Sequence, residues 1–313
     1  MARGALSMSQ DSEAWPALPI TSWAPTFATL HMLTQIVGKT RLALAPMENH
    51  WWQVTLYVTP RGLTTSSMPY GQGIAAVDFD FIDHSVVIRT STGASQAIPL
   101  VSRSVREFYG EYLDVLKALD IGAKLRGVPV EIVTAIPFAE DTEHHTYDAE
   151  WANRWWRVMF QADRVIKAFR GRFAGKASPV HFFWGSFDLA ATRFSGRGAP
   201  EFSGVVPNCP DYVMKEAYSG ECSSCGFWPG GDGQDAAFYS YAYPEPEGYK
   251  GYRISSESAY YDETLREFVL PYETVRQSAS PEETLLTFLQ TTYEAAANCA
   301  AWDRAALERT VNR

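Results

Sequence analysis

A chain of 313 residues, 46% hydrophobic and 20% charged, is long enough to bury a sizeable core and has the composition of a globular protein. Its formal net charge of −9 argues against nucleic acid as the main partner, because phosphate binding needs a basic face. No apolar run approaches the roughly eighteen residues of a membrane span, and the segment before Trp15 lacks the apolar core of a secretory leader, which points to a cytoplasmic protein.

Residues 1–22 read as a flexible arm, polar at first and then Trp15-Pro-Ala-Leu-Pro19 laid on the body of the fold. The remainder, 23–313, reads as a single α+β domain. Pro25 suits the first turn of a helix, and Phe27, Leu30, His31, Thr34 and Val37 follow at helical spacing. His31 then falls on or beside a buried face, as either a hydrogen-bonded core residue or a site residue. Gly38-Lys39-Thr40 is not a phosphate loop. That loop needs a glycine five residues before the Gly-Lys, where this chain has Leu33.

His50 to Val58 alternates and is rich in aromatic and β-branched residues, which predicts a strand. Further strands follow at 63–68, 74–82, 86–90 and 96–101. Their connections are too short for anything but antiparallel neighbours. Asp78 and Asp80 alternate with apolar residues and give their strand one polar face. Ser104 and Glu107 form a capping box that opens a helix with one apolar stripe as far as Leu119. A strand over 128–134 leads into a loop containing Glu140-Asp-Thr-Glu-His-His145, either solvated or the rim of a site. Asp148 is a good N-cap for a helix to Phe173, whose Arg154, Arg157, Arg164, Lys167 and Arg170 lie on the outer side.

The stretch Pro179 to Gly198, PVHFFWGSFDLAATRFSGRG, concentrates chemistry within strands at 180–185 and 187–194. By simple alternation His181 shares a face with Phe183, and Trp184 with Asp188. A bulge or bend at Gly185 would bring His181 and Asp188 together. Helical turns are expected at 211–218, strands at 223–228, 237–243, 259–261 and 267–270. Ser280, Pro281 and Glu283 have the spacing of a second capping box at the head of the last long helix.

Four cysteines (Cys209, Cys222, Cys225 and Cys299) do not make a disulfide framework in a chain of this length. Cys222-Ser-Ser-Cys225 has the spacing of a redox pair or half a zinc site. The Gly226-Phe-Trp-Pro229 that follows cannot open the helix such a redox motif needs, which favours inert thiols.

Gly38-Lys39 followed by His50-Trp51-Trp52 is answered by Gly175-Lys176 followed by His181-Phe182-Phe183. The correspondence raises two pseudo-repeated halves, about 24–135 and 149–313. The expected fold class is α+β, antiparallel sheets packed by long amphipathic helices.

The aromatic share of 14%, with ten tryptophans, suits a pocket or a homodimer contact as well as a core. The leading functional expectation is an enzyme acting on a small molecule in an aromatic-walled pocket. His181, Asp188 and His50 are its candidate catalytic residues, because a carboxylate beside an imidazole fixes the tautomer and raises basicity. Trp51, Trp52, Trp184, Arg193 and Trp228 are the candidate substrate-binding residues. His31, His50 and His181, from separate elements, are an alternative set of ligands for a divalent transition metal. The competing expectation is a binding protein with the same pocket and no chemistry. Neither GxSxG nor HExxH is present, which excludes the hydrolases defined by those motifs.

Taken together, Thr29-Leu-His-Met, Gln35-Ile-Val-Gly-Lys39, Asn49-His-Trp-Trp52, His181-Phe-Phe-Trp-Gly-Ser-Phe-Asp188 and Ser223-Ser-Cys-Gly-Phe-Trp-Pro229 resemble a bacterial group catalogued as domain of unknown function 5996. The resemblance runs from about Trp15 to the C-terminal helix. It implies one complete family unit rather than a fusion, and carries no activity, cofactor or catalytic residue with it.

Overall fold

The computed structural model describes residues 14–231, 233–255 and 258–309. Its first long element is helix α1 (Ile20–Leu44), which starts five residues before Pro25. Every residue of α1 from 29 to 41 is buried, so the expected single stripe is overturned by burial on all sides. The segment before it is not a loose arm either. Trp15 and Leu18 are core residues, the Tyr272 hydroxyl donates to the Pro16 carbonyl at 2.8 Å, and Arg276 bonds the Trp15 carbonyl. Residues 1–13 of the expected arm lie outside the described residues.

The first sheet contains β1 (Tyr57–Val58), β2 (Gly62–Thr64), β3 (Met68–Tyr70), β4 (Gly73–Asp80), β5 (Ser85–Thr90) and β6 (Ser95–Pro99). Its order is β1-β2-β4-β5-β6, with β3 paired to β4. All pairings are antiparallel, and β4 buries Ala75, Val77 and Phe79 while Asp78 and Asp80 face outward to Arg89 and Arg61. Helix α2 (Val105–Ala118) opens with the expected capping box of Ser104 and Glu107. Helix α3 (Ala149–Arg170) is capped by the Asp148 carboxylate, which accepts from the amides of Glu150 and Trp151. Three of its outer cations are paired, Arg154 with Glu150, Arg164 with Glu282 and Lys167 with Asp163, and Arg170 donates to the Ser178 carbonyl.

The second sheet runs β11-β12-β10-β9-β8-β7, built from β7 (His181–Phe183), β8 (Asp188–Gly198), β9 (Gly220–Trp228), β10 (Ala237–Tyr243), β11 (Tyr260–Asp262) and β12 (Glu267–Pro271). One face packs on α3, on the short helix α5 (Tyr272–Gln277) and on α6 (Pro281–Cys299). A short helix α4 (Asp211–Ala217) stands over the other face. An antiparallel bridge between Leu56 and Phe182, bonded at 2.9 and 2.8 Å, ties the two sheets together. The strand orders differ, so the halves are not strand-for-strand copies, and the matching Gly-Lys and His-aromatic segments have no common structure.

Three local expectations fail for identifiable reasons. Asn49–Val54 is a 3-10 turn rather than a strand, with His50 and Trp51 in the left-handed region at φ 57° and 61°. Their side chains are claimed by tertiary contacts that override β propensity: His50 bonds the Ala217 carbonyl, and Trp51 packs on Tyr212. Residues 128–134 form no strand because the Gln35 side-chain amide takes both backbone groups of Val130, at 2.8 and 2.9 Å. Ser280 precedes α6, with Pro281 in its first turn, yet its side chain makes no cap bond.

Gly38 marks the tightest packing on α1. A Cβ there would lie 2.3 Å from the Trp184 indole, whose Nε1 is itself fixed on the Val54 carbonyl at 2.6 Å. Gly38→Ala is expected to lower the urea midpoint, a destabilisation of about 1–3 kcal/mol, although alanine is the better helix former by about 1 kcal/mol. A variant as stable as the parent would show that Trp184 can move aside.

Candidate functional site

The cavity-facing side of the second sheet shows how its sequence alternation was spent. Residues of β8, β9 and β10 that point away from α3 and α6 include Asp188, Thr192, Ser224, Tyr239 and Tyr241, and they floor a cavity of about 860 Å³. Aromatic walls rise around it from Trp51, Trp52, Phe183, Phe202, Tyr218 and Trp228. A volume of this size accommodates a small organic molecule.

Asp188 is 7% exposed at the centre of the chemistry. The turn Trp184–Phe187, with Phe187 at φ 60°, sets Asp188 opposite Phe183 across the β7–β8 pair, on the same face as His181. The two side chains nevertheless do not pair. Asp188 accepts from the hydroxyls of Ser186 and Tyr239. Tyr239 belongs to β10, two strands away, and reaches Asp188 by lying across β9 at Gly226. A Cβ at position 226 would stand 2.4 Å from the Tyr239 oxygen, so the missing side chain is what admits the ring. Burial pushes the Asp188 carboxyl up, and burial with the facing carboxylate holds the Tyr239 hydroxyl well above its ordinary range. In the bond between them the phenol is the donor and the carboxylate the acceptor.

Two further carboxylates face Asp188. Glu131 sits in the irregular segment that Gln35 holds, its amide donating to the Pro207 carbonyl at 2.7 Å. Its carboxylate lies against Gly185, where a Cβ would stand 2.1 Å from Oε1. Glu131 keeps solvent contact through the cavity, yet the protein around it and the charge of Asp188 push its carboxyl up to about 7. Glu267 on β12 is raised to about 7 by burial, Asp188 and Asp262. Alongside them the Tyr218 and Tyr241 hydroxyls bond at 3.0 Å, and Thr192 bonds Ser224 at 2.9 Å. Sequence reading missed Glu131, Glu267, Tyr239 and Gly226. The one available signal was a glycine inside a strand.

The three candidate histidines occupy separate settings. His50 lines the cavity, but both nitrogens are engaged: Nδ1 bonds the Ala217 carbonyl at 3.1 Å, and Nε2 accepts from Lys176 at 2.6 Å. His31 is a hydrogen-bonded core residue, its Nε2 2.8 Å from the Gly185 carbonyl. Burial lowers it to about 4. His181 lies among Trp52, Tyr57 and Phe183, and neither ring nitrogen has a partner. The triad of His31, His50 and His181 is thus not assembled, and among the described residues no three His, Cys, Asp or Glu side chains are grouped to hold a metal.

Of the expected substrate-binding residues, Trp51, Trp52 and Trp228 line the cavity, whereas Trp184 and Arg193 do not. Trp184 is packed under α1, with Lys39 over its ring at 5.4 Å. Arg193 points to the other face of the sheet and stacks on Phe169 and Tyr293, at 3.5 and 4.4 Å. Cys222 and Cys225 also part company, because a spacing of three in a strand sends them to opposite faces. Burial raises both thiols to about 12, and all four cysteines are free. The 140–145 loop is not a rim of the site: Asp141 is fully buried and accepts from the backbone and ring of His144.

His181 makes the clearest pH prediction. Burial, with Arg41 and Arg170 nearby, lowers it to about 3 from 6.5. The unfolded chain therefore binds the extra proton between those values, and this contribution to stability is full above pH 6.5 and is lost as the pH falls toward 3. His181→Phe removes two unsatisfied polar atoms and is expected to be at least as stable as the parent at pH 7. Between pH 7 and pH 5 it should lose about 1–2 kcal/mol less than the parent in urea unfolding. Parallel losses in the two proteins would count against a neutral buried imidazole.

No curated protein and no solved structure gives a significant match to the chain. A family model does match, over residues 15–309, nearly the whole length. The chain belongs to the family of unknown function DUF5996.

Proposed function

We propose that the protein is an enzyme acting on a small molecule in the cavity over the second sheet, with Asp188 and Tyr239 as its proton-transferring pair. The observation that carries this reading is the hydroxyl–carboxylate bond between them on the floor of an aromatic cavity of about 860 Å³. The reading departs from the His–Asp expectation in its partner: the carboxylate stays and the imidazole is replaced by a phenol. Asp188 takes a proton from the substrate, Tyr239 gives its own to the oxygen or nitrogen on which the negative charge develops, and the proton now on Asp188 passes to the phenolate, which restores both groups. Ser186, as the second donor to Asp188, and Gly226, which admits Tyr239, are positioning residues. The aromatic walls would orient the substrate and exclude water.

A binding protein without chemistry would need no such titratable pair at hydrogen-bond distance, which favours the enzyme over that alternative. The free thiols and the absence, among the described residues, of any helix long and apolar enough to cross a membrane fit a cytoplasmic enzyme whose partner is its small-molecule substrate.

The test uses a defined mixture of small organic fragments in D2O, followed by ligand-observed NMR. The parent should bind a subset and transform at least one member, by proton exchange or by new signals. Val213→Trp, which fills the cavity from α4, should abolish binding of that subset. Tyr239→Phe should retain binding, and both Asp188→Asn and Tyr239→Phe should slow the transformation by about 100-fold or more. Unchanged transformation in both variants, or unchanged binding in Val213→Trp, would overturn the proposal.

A further inference from the structure

The cavity lining has a one-sided charge. Glu131, Asp188, Asp235, Asp262 and Glu267 all contribute to it, and among the described residues no lysine or arginine does. Two of these carboxylates have local duties. Asp235 accepts from the Ile20 amide at the head of α1, and Asp262 accepts from the amides of Thr264 and Leu265. The other three share the cavity, and the charge of Asp188 raises both Glu131 and Glu267.

Asp188 is buried with only hydroxyl partners, so its charge has no countercharge in the protein. Among the described residues no cation pairs with these three carboxylates. Lys176 is bonded to His50 and lies over Trp52 and Phe194, and Lys39 lies over Trp184. Carboxylates gathered around the buried Asp188 without countercharge are unfavourable by themselves and become favourable when a cation enters. The walls add to the same preference, because the faces of tryptophan, tyrosine and phenylalanine rings attract cations and repel anions. The cavity is too large for a lone metal ion and is walled by rings, which fits an organic body carrying the charge.

We infer that the cavity selects a small organic cation, an amine or quaternary ammonium compound with an apolar body, seated with its charge among Glu131, Asp188 and Glu267. The inference rests on the small-molecule reading of the cavity and adds the class of ligand. It excludes anionic substrates such as phosphates and carboxylic acids.

Three probes with one benzene ring and different charge separate the two claims: benzyltrimethylammonium, benzyl alcohol and phenylacetate. Titration calorimetry at pH 7.5 is expected to show the cation binding at least about tenfold more tightly than the alcohol, with phenylacetate weakest. In the double variant Glu131→Gln, Glu267→Gln the cation should weaken by about tenfold or more while benzyl alcohol is unchanged, which also shows that the variant is folded. Equal binding of all three, preference for phenylacetate, or cation binding untouched in the double variant would overturn the inference. If benzyl alcohol still binds in that case and Val213→Trp blocks it, the cavity remains a small-molecule site of another selectivity. If none of the three binds, the cationic class fails, and the fragment experiment decides the cavity separately.

Discussion

The structure depends on a helix that is buried on every side and is nevertheless polar. Thr29, His31, Thr34, Gln35, Lys39, Thr40 and Arg41 all lie within the buried run of α1. A buried polar group without a partner is destabilising by about 1–3 kcal/mol, so each of these side chains constrains what is packed beside it. Thr29 accepts from the Thr146 amide, Thr26 from the Asp148 amide and Arg41 bonds the Thr65 carbonyl. Thr40 meets the Tyr112 hydroxyl at 2.8 Å and brings α2 into place. The irregular segment from 120 to 148 is held from α1 by Thr26, Thr29 and Gln35 in place of a sheet ladder.

The same helix sets the geometry of the cavity without lining it. Gln35 clamps both backbone groups of Val130 and so places Glu131. His31 takes the Gly185 carbonyl and fixes the turn that delivers Asp188. Two of the three facing carboxylates are thereby positioned from one face of α1, by side chains about one helical turn apart. Holding like charges near one another requires a rigid frame, since a flexible one would let them separate. A helix packed on all sides supplies that frame.

Much of the architecture was legible because it is written in local chemistry. The β10 strand over 237–243, the Ser104 capping box and the Asp148 N-cap are set by neighbours within a few residues, and the sequence carries those neighbours. The site was only half legible, since Asp188, His50, Trp51, Trp52 and Trp228 do reach the cavity. Tyr239 and Glu131 could not be found this way. One crosses a strand to its partner and the other hangs from a loop, and neither relation leaves a periodic trace. His50 and Trp51 misled for the opposite reason: two residues at the head of an aromatic, alternating stretch sit in the left-handed region, with the His50 side chain held by α4 and Lys176 and Trp51 packed on Tyr212.

The two faces of β9 show why function settles on one side of this sheet. Cys225 and Phe227 point toward the helices, and the unpaired Arg193 guanidinium beside them is met by ring faces and a backbone carbonyl. That side offers a small molecule no space. On the other side Cys222, Ser224, the bare Gly226 and Trp228 leave room, and the space is bounded by hydroxyls and carboxylates that no protein cation neutralises. Positive charge is thus stacked within the core face while negative charge is left facing the cavity. A ligand that brings its own positive charge completes the second arrangement as the rings of Phe169 and Tyr293 complete the first.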